Sequence, residues 1–253
     1  GEPLAEWIRG DFVISDATLN RFFAFHVILL PLLLALLVYL HIVALHKVGS
    51  NNPDGIEIKK NKDKDGIPVD GIPFHPYYTV KDTFGVAVFM TVFLGIVFFV
   101  PELGGWFLEK DNFAPADILQ TPPEIVPLWY LTPYYSILRA VTFEWLPGGA
   151  KLWGVIAMGA AIVMFFFLPW LDRAKVRSIR YRGWMYKTML MLFAVNFVML
   201  GYLGTVNPGH VNLIWFKNVT WAQIGLVIYF AFFFLMPIYT KLDRNKPEPD
   251  RVR

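Results

Sequence analysis

The chain has 253 residues, 56% hydrophobic and 17% aromatic, with a mean hydropathy of +0.46. That excludes an ordinary soluble domain and predicts a membrane protein with aromatic belts at its interfaces. Cysteine is absent, which excludes a disulfide framework, iron–sulfur ligation by this chain and covalent haem attachment; the net charge of +3 matters less than its placement.

The opening GEPLAEWIRGDF has no initiator Met and no signal-like apolar stretch. It reads as the interior of a loop, with an N-terminal portion expected elsewhere. A first span is predicted over Leu19–His46, with Asp16 or Thr18 as N-cap and a kink at Pro31. A polar segment follows, then a second span over Thr83–Val100, stopped by Pro101. The segment from Glu102 to Lys151 is long for a connection. Within it, Trp129 to Val141 predicts a helix lying in the interface or dipping into a pocket. Such an apolar, proline-stiffened loop suits a lipid-soluble substrate, and the plainer reading is a cover over the bundle. Three further spans are expected over Leu152–Leu171, Trp184–Leu203 and Thr220–Tyr239. The fold class is therefore an all-α, polytopic transmembrane helix bundle of five spans plus an amphipathic outer-loop helix. Its segments are 1–46, 47–81, 82–101, 102–151, 152–240 and a polar tail, 241–253.

Charge alternates between the two ends of these spans. Lys47–Lys81, Arg173–Lys187 and the tail from Lys241 carry 6, 6 and 5 Lys or Arg, 17 of the 23 in the chain. The other side keeps Arg9, Arg21, Lys110, Arg139, Lys151 and Lys217. The positive-inside rule places the basic segments and the C-terminus on the cytoplasmic side. It reads them as topology signals, not as a nucleic-acid surface.

Two histidines, His26 and His41, interrupt an uncharged apolar run of 24 residues, Phe22 to Leu45. Ionisable groups at that depth are costly and mark functional sites. A spacing of 15 residues returns them to within about 60° on an α-helix while separating them by about 22 Å along the axis. They therefore suit two separate sites, with His26 toward the outer face and His41 toward the inner. Stacked haems in a helix bundle fit this arrangement; interhelical hydrogen bonding is the alternative. Two haems with paired imidazoles need four histidines, and the remaining three, His46, His75 and His210, lie outside the other spans. Either methionine completes the set or another helix brings two more histidines, and the abrupt N-terminus favours the helix.

Five motifs occur in order: RFFAFH (21–26), HIVALHKVGSNNP (41–53), FHPYYTVKD (74–82), TPPEIVPLWY (121–130) and ILRA (137–140). Together they resemble cytochrome b of the quinol–cytochrome c oxidoreductase (bc1) complex over essentially the whole chain, from the fourth to the eighth membrane helix of that family. The resemblance implies a bacterial inner-membrane subunit that holds two b-type haems jointly with an N-terminal portion carrying the opposing histidines. His26 would ligate the low-potential haem and His41 the high-potential one, with Arg21 at a cofactor-contacting position. His46, Ser50, Lys81 and Asp82 match the inner quinone-reduction site, where an imidazole and a carboxylate can relay the two protons that reduction needs. The rival reading of Asp82 is an N-cap of the second span.

Pro127, Leu128, Trp129 and Tyr130 match the family's PEWY signature at the outer quinol-oxidation site, and Tyr135 matches a tyrosine of the same pocket. The implied mechanism is the Q-cycle. Quinol (ubiquinol or another) is oxidised outside; one electron goes to a Rieske iron–sulfur protein and a c-type cytochrome such as cytochrome c1, and the other crosses through the haems to the inner quinone. A dimeric complex in the lipid membrane is implied. The sequence departs from the pattern twice. Leu128 replaces a proton-accepting glutamate, which leaves Glu124 as the nearest carboxylate in sequence. The His26–His41 spacing is 15, as in the related b6 proteins, where mitochondrial members have 14. The rival classes are a di-haem anchor of another quinone-linked dehydrogenase, which would lack the PLWY loop, and a haem-free transporter with buried histidines.

Overall fold

The computed structural model describes residues 2–105, 108, 113–115, 125–145, 147–211 and 213–252. The chain divides into two compact units, Gly1–Asn52 and Pro53–Arg253. The described residues form helices and connecting turns with a single isolated β-bridge, Lys62 to Pro68.

The first unit holds a short helix α1 (Glu2–Arg9) and the long helix α2 (Asp16–Val48). The N-cap of α2 is Ser15, not Asp16 or Thr18. Thr18 is buried as the capping partner: its Oγ1 accepts from the Ser15 N–H at 3.2 Å and donates to the Arg9 carbonyl at 2.8 Å. The irregularity expected from Pro31 takes the form of a π-helical turn over Phe25–Leu29, closed by the Leu30 N–H on the Phe25 carbonyl. Proline has no N–H for the carbonyl four residues back and crowds it, and widening the preceding turn relieves both problems.

The second unit begins with the inner loop and α3 (Tyr77–Phe99), which starts about two turns before the predicted Thr83. Asp82 therefore lies inside the helix, and the reading of it as an N-cap is corrected. Thr83 and Thr91 donate to the carbonyls of Thr79 and Ala87, which satisfies their hydroxyls within the helix. The outer-loop helix is α4 (Thr132–Ala140), followed by α5 (Gly149–Leu171), α6 (Trp184–Thr205), α7 (Asn218–Phe234) and α8 (Met236–Leu242). Four helices, α2, α3, α5 and α6, are long and apolar enough to cross a membrane. The fifth predicted span is the pair α7–α8, bent by 56°. The bend sits beside Pro237, and α5 likewise tightens to a 3-10 turn over Met164–Phe167 just before Pro169.

The core of this unit lies where α4, α5, α6 and α7 meet. Phe193 packs against Phe232 with centroids 4.4 Å apart and planes tilted by 31°, and Phe165 meets Phe233 edge-on at 5.2 Å. Polar groups there are spent on backbone: Tyr229 Oη donates to the Ala161 carbonyl at 2.8 Å, and Asn196 Nδ2 to the Gly225 carbonyl at 2.9 Å. At the bend, Tyr239 Oη donates to the Phe232 carbonyl at 3.0 Å.

The outer-loop helix does not lie free in the interface. Thr132, Pro133, Ser136, Ile137 and Ala140 form a buried face, and α6 approaches it so closely at Gly204 that a Cβ there would sit 2.1 Å from the Thr132 carbonyl oxygen. Gly204→Ala is expected to destabilise the folded protein by about 1–3 kcal/mol, in the range of core overpacking. Gly201→Ala, whose Cβ would meet Pro133 at an ordinary 3.6 Å, should be close to neutral. Thermal unfolding of the purified protein compares the two.

Candidate functional site

His26 lies inside the π-turn of α2. Its Nδ1 donates to the Phe22 carbonyl at 2.9 Å. The bond fixes the tautomer and leaves Nε2 as the available lone pair, the arrangement common to metal-ligating imidazoles. His41 lies in the α-helical part of the same span, and both are exposed along an apolar helix. The π-turn alters the angular relation expected for a plain α-helix. Accommodating one extra residue in a turn removes about 100° of phase, so the 15-residue spacing behaves as 14 and the two histidines fall about 40° apart instead of about 60°. Arg21 is held differently from a free cofactor contact: its guanidinium bonds the Trp7 carbonyl and lies against Gly10, which has φ +83°.

His46 and Ser50 end the first unit, exposed at the C-terminus of α2 and just beyond it. Lys81 and Asp82 belong to the second unit, exposed near the start of α3, with Lys81 Nζ 5.7 Å from the Tyr78 ring centroid. Asp82 forms no ion pair or hydrogen bond among the described residues.

The PLWY segment is extended up to Leu128 and then enters a 3-10 turn over Trp129–Leu131 that leads directly into α4. Thr132 Oγ1 donates to the Trp129 carbonyl at 2.7 Å, which locks the junction. Trp129 and Tyr130 meet edge-to-face at 5.6 Å, both exposed; Leu128 is exposed and Pro127 half-buried. A cavity of about 430 Å³ lies beside this helix, lined among others by Ile125, Tyr135, Arg139, Val206 and Pro208. Tyr135 thus faces a cavity, while Pro127 to Tyr130 do not line it. Glu124 and Lys110 fall outside the described residues.

Arg139 is the residue that sequence reasoning passed over, though it stands inside the ILRA motif. Its guanidinium lies 5.0 Å from the Tyr135 ring centroid and donates to the carbonyls of Gly204, at 3.3 Å, and Val206. It caps the C-terminal end of α6 and supports the tyrosine ring with the same cation. A lone Arg in an apolar helix is the only sequence signal for it.

These features define a class: a polytopic, all-α membrane protein with imidazoles set into one span and an aromatic loop helix docked on the rest. Comparison with known proteins resolves the class. Residues 1–105 match the family model "Cytochrome b(N-terminal)/b6/petB" and residues 115–230 match "Cytochrome b(C-terminal)/b6/petD". The chain is 56% identical to the cytochrome b of Allochromatium vinosum, over 100% of this chain and 59% of that one. It is 42% identical to that of Rhodospirillum rubrum, over 98% of this chain and 56% of the relative. The solved structure "Hyperthermophilic respiratory Complex III" superposes with a TM-score of 0.79 at 34% identity, covering 96% of this chain and 56% of that chain. The chain belongs to the cytochrome b family and spans somewhat over half the length of these relatives. Membership implies b-type haem as cofactor, and the oriented His26 imidazole with its free Nε2 fits such a group.

The π-turn yields a direct test. Deleting Leu29 should return the turn to α-helix and keep the histidines in phase, so b-type haem absorbance should survive. Inserting an alanine between Leu34 and Ala35 adds about 100° of rotation and should diminish it. Visible spectra of membranes from the two variants measure this.

Proposed function

We propose that this chain is the portion of a bc1-type cytochrome b that carries quinol oxidation on the outer side and quinone reduction on the inner side, coupled to proton translocation. The observation that carries the reading is His26, oriented through Nδ1 and placed 15 residues before His41 in a chain with the PLWY–Tyr135 loop helix. Two b-type haems would be held by His26 and His41 together with opposing histidines from an N-terminal portion of cytochrome b. Haem, when bound, supplies the reversible one-electron chemistry of its iron. The working assembly would include a Rieske iron–sulfur protein and a c-type cytochrome, as a dimeric complex in a bacterial inner membrane with the C-terminus cytoplasmic.

Within that assembly the chain binds, orients and handles protons. The Phe22 carbonyl holds the His26 ring in one tautomer. At the inner site, His46 and Asp82 would deliver the protons that quinone oxygens take up, with Ser50 and Lys81 as further polar contacts. At the outer site, Tyr135, braced by Arg139, and the Trp129–Tyr130 pair would line the quinol ring. Leu128 offers no proton acceptor, so a quinol proton would leave by way of Tyr130, Glu124 or a group on the Rieske partner.

Three measurements test this. His26→Leu should remove the lower-potential haem from a redox titration and leave the other; survival of both signals overturns the ligand assignment. Asp82→Asn should slow re-oxidation of the inner haem while outer quinol oxidation in the first turnover is nearly unchanged; unchanged inner kinetics overturns that site. Glu124→Gln should lower quinol oxidation and shift its pH profile if this carboxylate is the outer acceptor, and a wild-type profile removes it from that role.

A further inference from the structure

Residues 49–76 connect α2 to α3, a stretch far longer than an ordinary connection. It opens GSNNPDG at residues 49–55, with no large apolar side chain to hold it by burial. Such a segment keeps its conformational freedom unless something else fixes it. Ser50 stands near its start. The other residues assigned to the inner quinone flank it, His46 before and Lys81 and Asp82 after.

From Pro53 onward the segment is seated on the 3-10 turn Ile179–Tyr181, between α5 and α6, and on the residues just before that turn. Ser178 Oγ donates to the Pro53 carbonyl at 2.5 Å. Asp54 is fully buried, and its Oδ1 accepts from Arg180 Nη1 and from Tyr181 Oη, each at 2.7 Å. Gly55 has φ +75°, and a Cβ there would lie 3.0 Å from the Ser178 backbone nitrogen, an approach that suits glycine. The turn is itself held by the tail. Lys246 N–H donates to the Tyr181 carbonyl at 2.7 Å, and Glu248 Oε1 accepts the Arg177 N–H at 2.9 Å. Asp54 therefore meets a seat that is already fixed, and a buried carboxylate is costly to part from its donors. Only residues 49–52 separate the end of α2 from this anchor, and Ser50 stays within about 14 Å of Asp54 by chain length alone.

We propose that Asp54 is a positioning residue for quinone reduction: seated on the turn between α5 and α6, it fixes the far end of the short segment that carries Ser50. The inference rests on the inner-site assignment proposed above, and it adds a residue that acts through Ser50 and not on the quinone. The Asp54 carboxylate is committed to Arg180 and Tyr181, so its contribution is geometric. A quinone contact held at both ends of a short segment is preorganised, and one held at a single end must be ordered when quinone binds.

The test uses the native assembly in its membrane. Re-oxidation of the reduced inner haem is followed by rapid mixing against the concentration of decylubiquinone. Asp54→Asn keeps the size of the side chain and removes its charge. It should raise the apparent KM for this quinone about tenfold, the order of one charge-assisted hydrogen bond, with the rate at saturating quinone and first-turnover quinol oxidation nearly unchanged. Arg180, which is 54% exposed, can be changed without opening the core, and it decides the matter if Asp54→Asn fails to assemble. Arg180→Gln should raise KM in the same way, and Arg180→Lys should restore it. An unchanged KM in Asp54→Asn and Arg180→Gln, with Asp82→Asn still slowing the inner haem, overturns the positioning role alone. Unchanged kinetics in all three removes the inner-site assignment and this inference with it. A loss of rate at saturating quinone without a change in KM also overturns the proposal, because it marks the anchor as a general structural clamp.

Discussion

In hydrocarbon there is no water to take up a freed backbone carbonyl, so each departure from regular helix must be repaired inside the protein. That constraint organises this chain. Prolines stand at 31, 169 and 237, and each is accompanied by an altered turn: a π-turn, a 3-10 turn and a bend. Side chains then serve the exposed ends. Arg139 takes the last carbonyls of α6, Tyr239 takes Phe232 at the bend, and Asn196 takes Gly225 where α6 packs on α7. The same repairs set the functional geometry. The turn that accommodates Pro31 carries His26, and the arginine that finishes α6 steadies Tyr135.

A parallel economy holds on the basic side. Two of the positive charges read from the sequence as topology signals, Arg180 and Arg251, are tied down by buried carboxylates. Asp54, fully buried, accepts from Arg180 Nη1 and from Tyr181 Oη, each at 2.7 Å. The hydrogen bond to that carboxylate, then desolvation, push the Tyr181 phenol above its ordinary pKa, so it remains a donor at neutral pH. Ser178 Oγ donates to the Pro53 carbonyl at 2.5 Å, and Arg251 donates twice to Asp70. The inner loop, the loop between α5 and α6, and the tail are thereby joined. Exposed pairs of this kind contribute little; the buried Asp54 would leave an uncompensated charge if its partners were removed.

The spans were legible in the sequence because apolar length is a local property: runs such as 184–203 and 152–171 declare themselves without tertiary information. Their ends were less legible. The helix α3 begins at Tyr77 because Phe74 and Pro76 carbonyls start its hydrogen bonding, and no apolar count registers that. The histidine pair could be placed on one span, but its angular relation could not, since a π-turn leaves no mark beyond the proline that follows it. The outer-loop helix was anticipated, lying in the interface, dipping into a pocket or covering the bundle, but the place where it docks was not: that depends on Gly204 meeting Thr132 across a large sequence separation. Arg139 was visible only as one cation in an apolar stretch, and its targets are backbone carbonyls, which carry no sequence identity.

Asp243 joins the second and last of the three C-terminal spans. Its Oδ1 accepts the Met185 N–H at 3.2 Å in the first turn of α6, and Gly183 leaves room for it, since a Cβ there would lie 2.2 Å from that oxygen. A carboxylate at a helix N-terminus satisfies open donors and meets the positive end of the dipole. This cap comes from a residue made after α6, α7 and α8. During synthesis α6 forms with its first turn unsatisfied, and only the emergence of the segment after α8 completes it. This end of the bundle therefore closes in order of translation, and a ribosome that stops short of Asp243 releases a chain whose α6 never receives its cap.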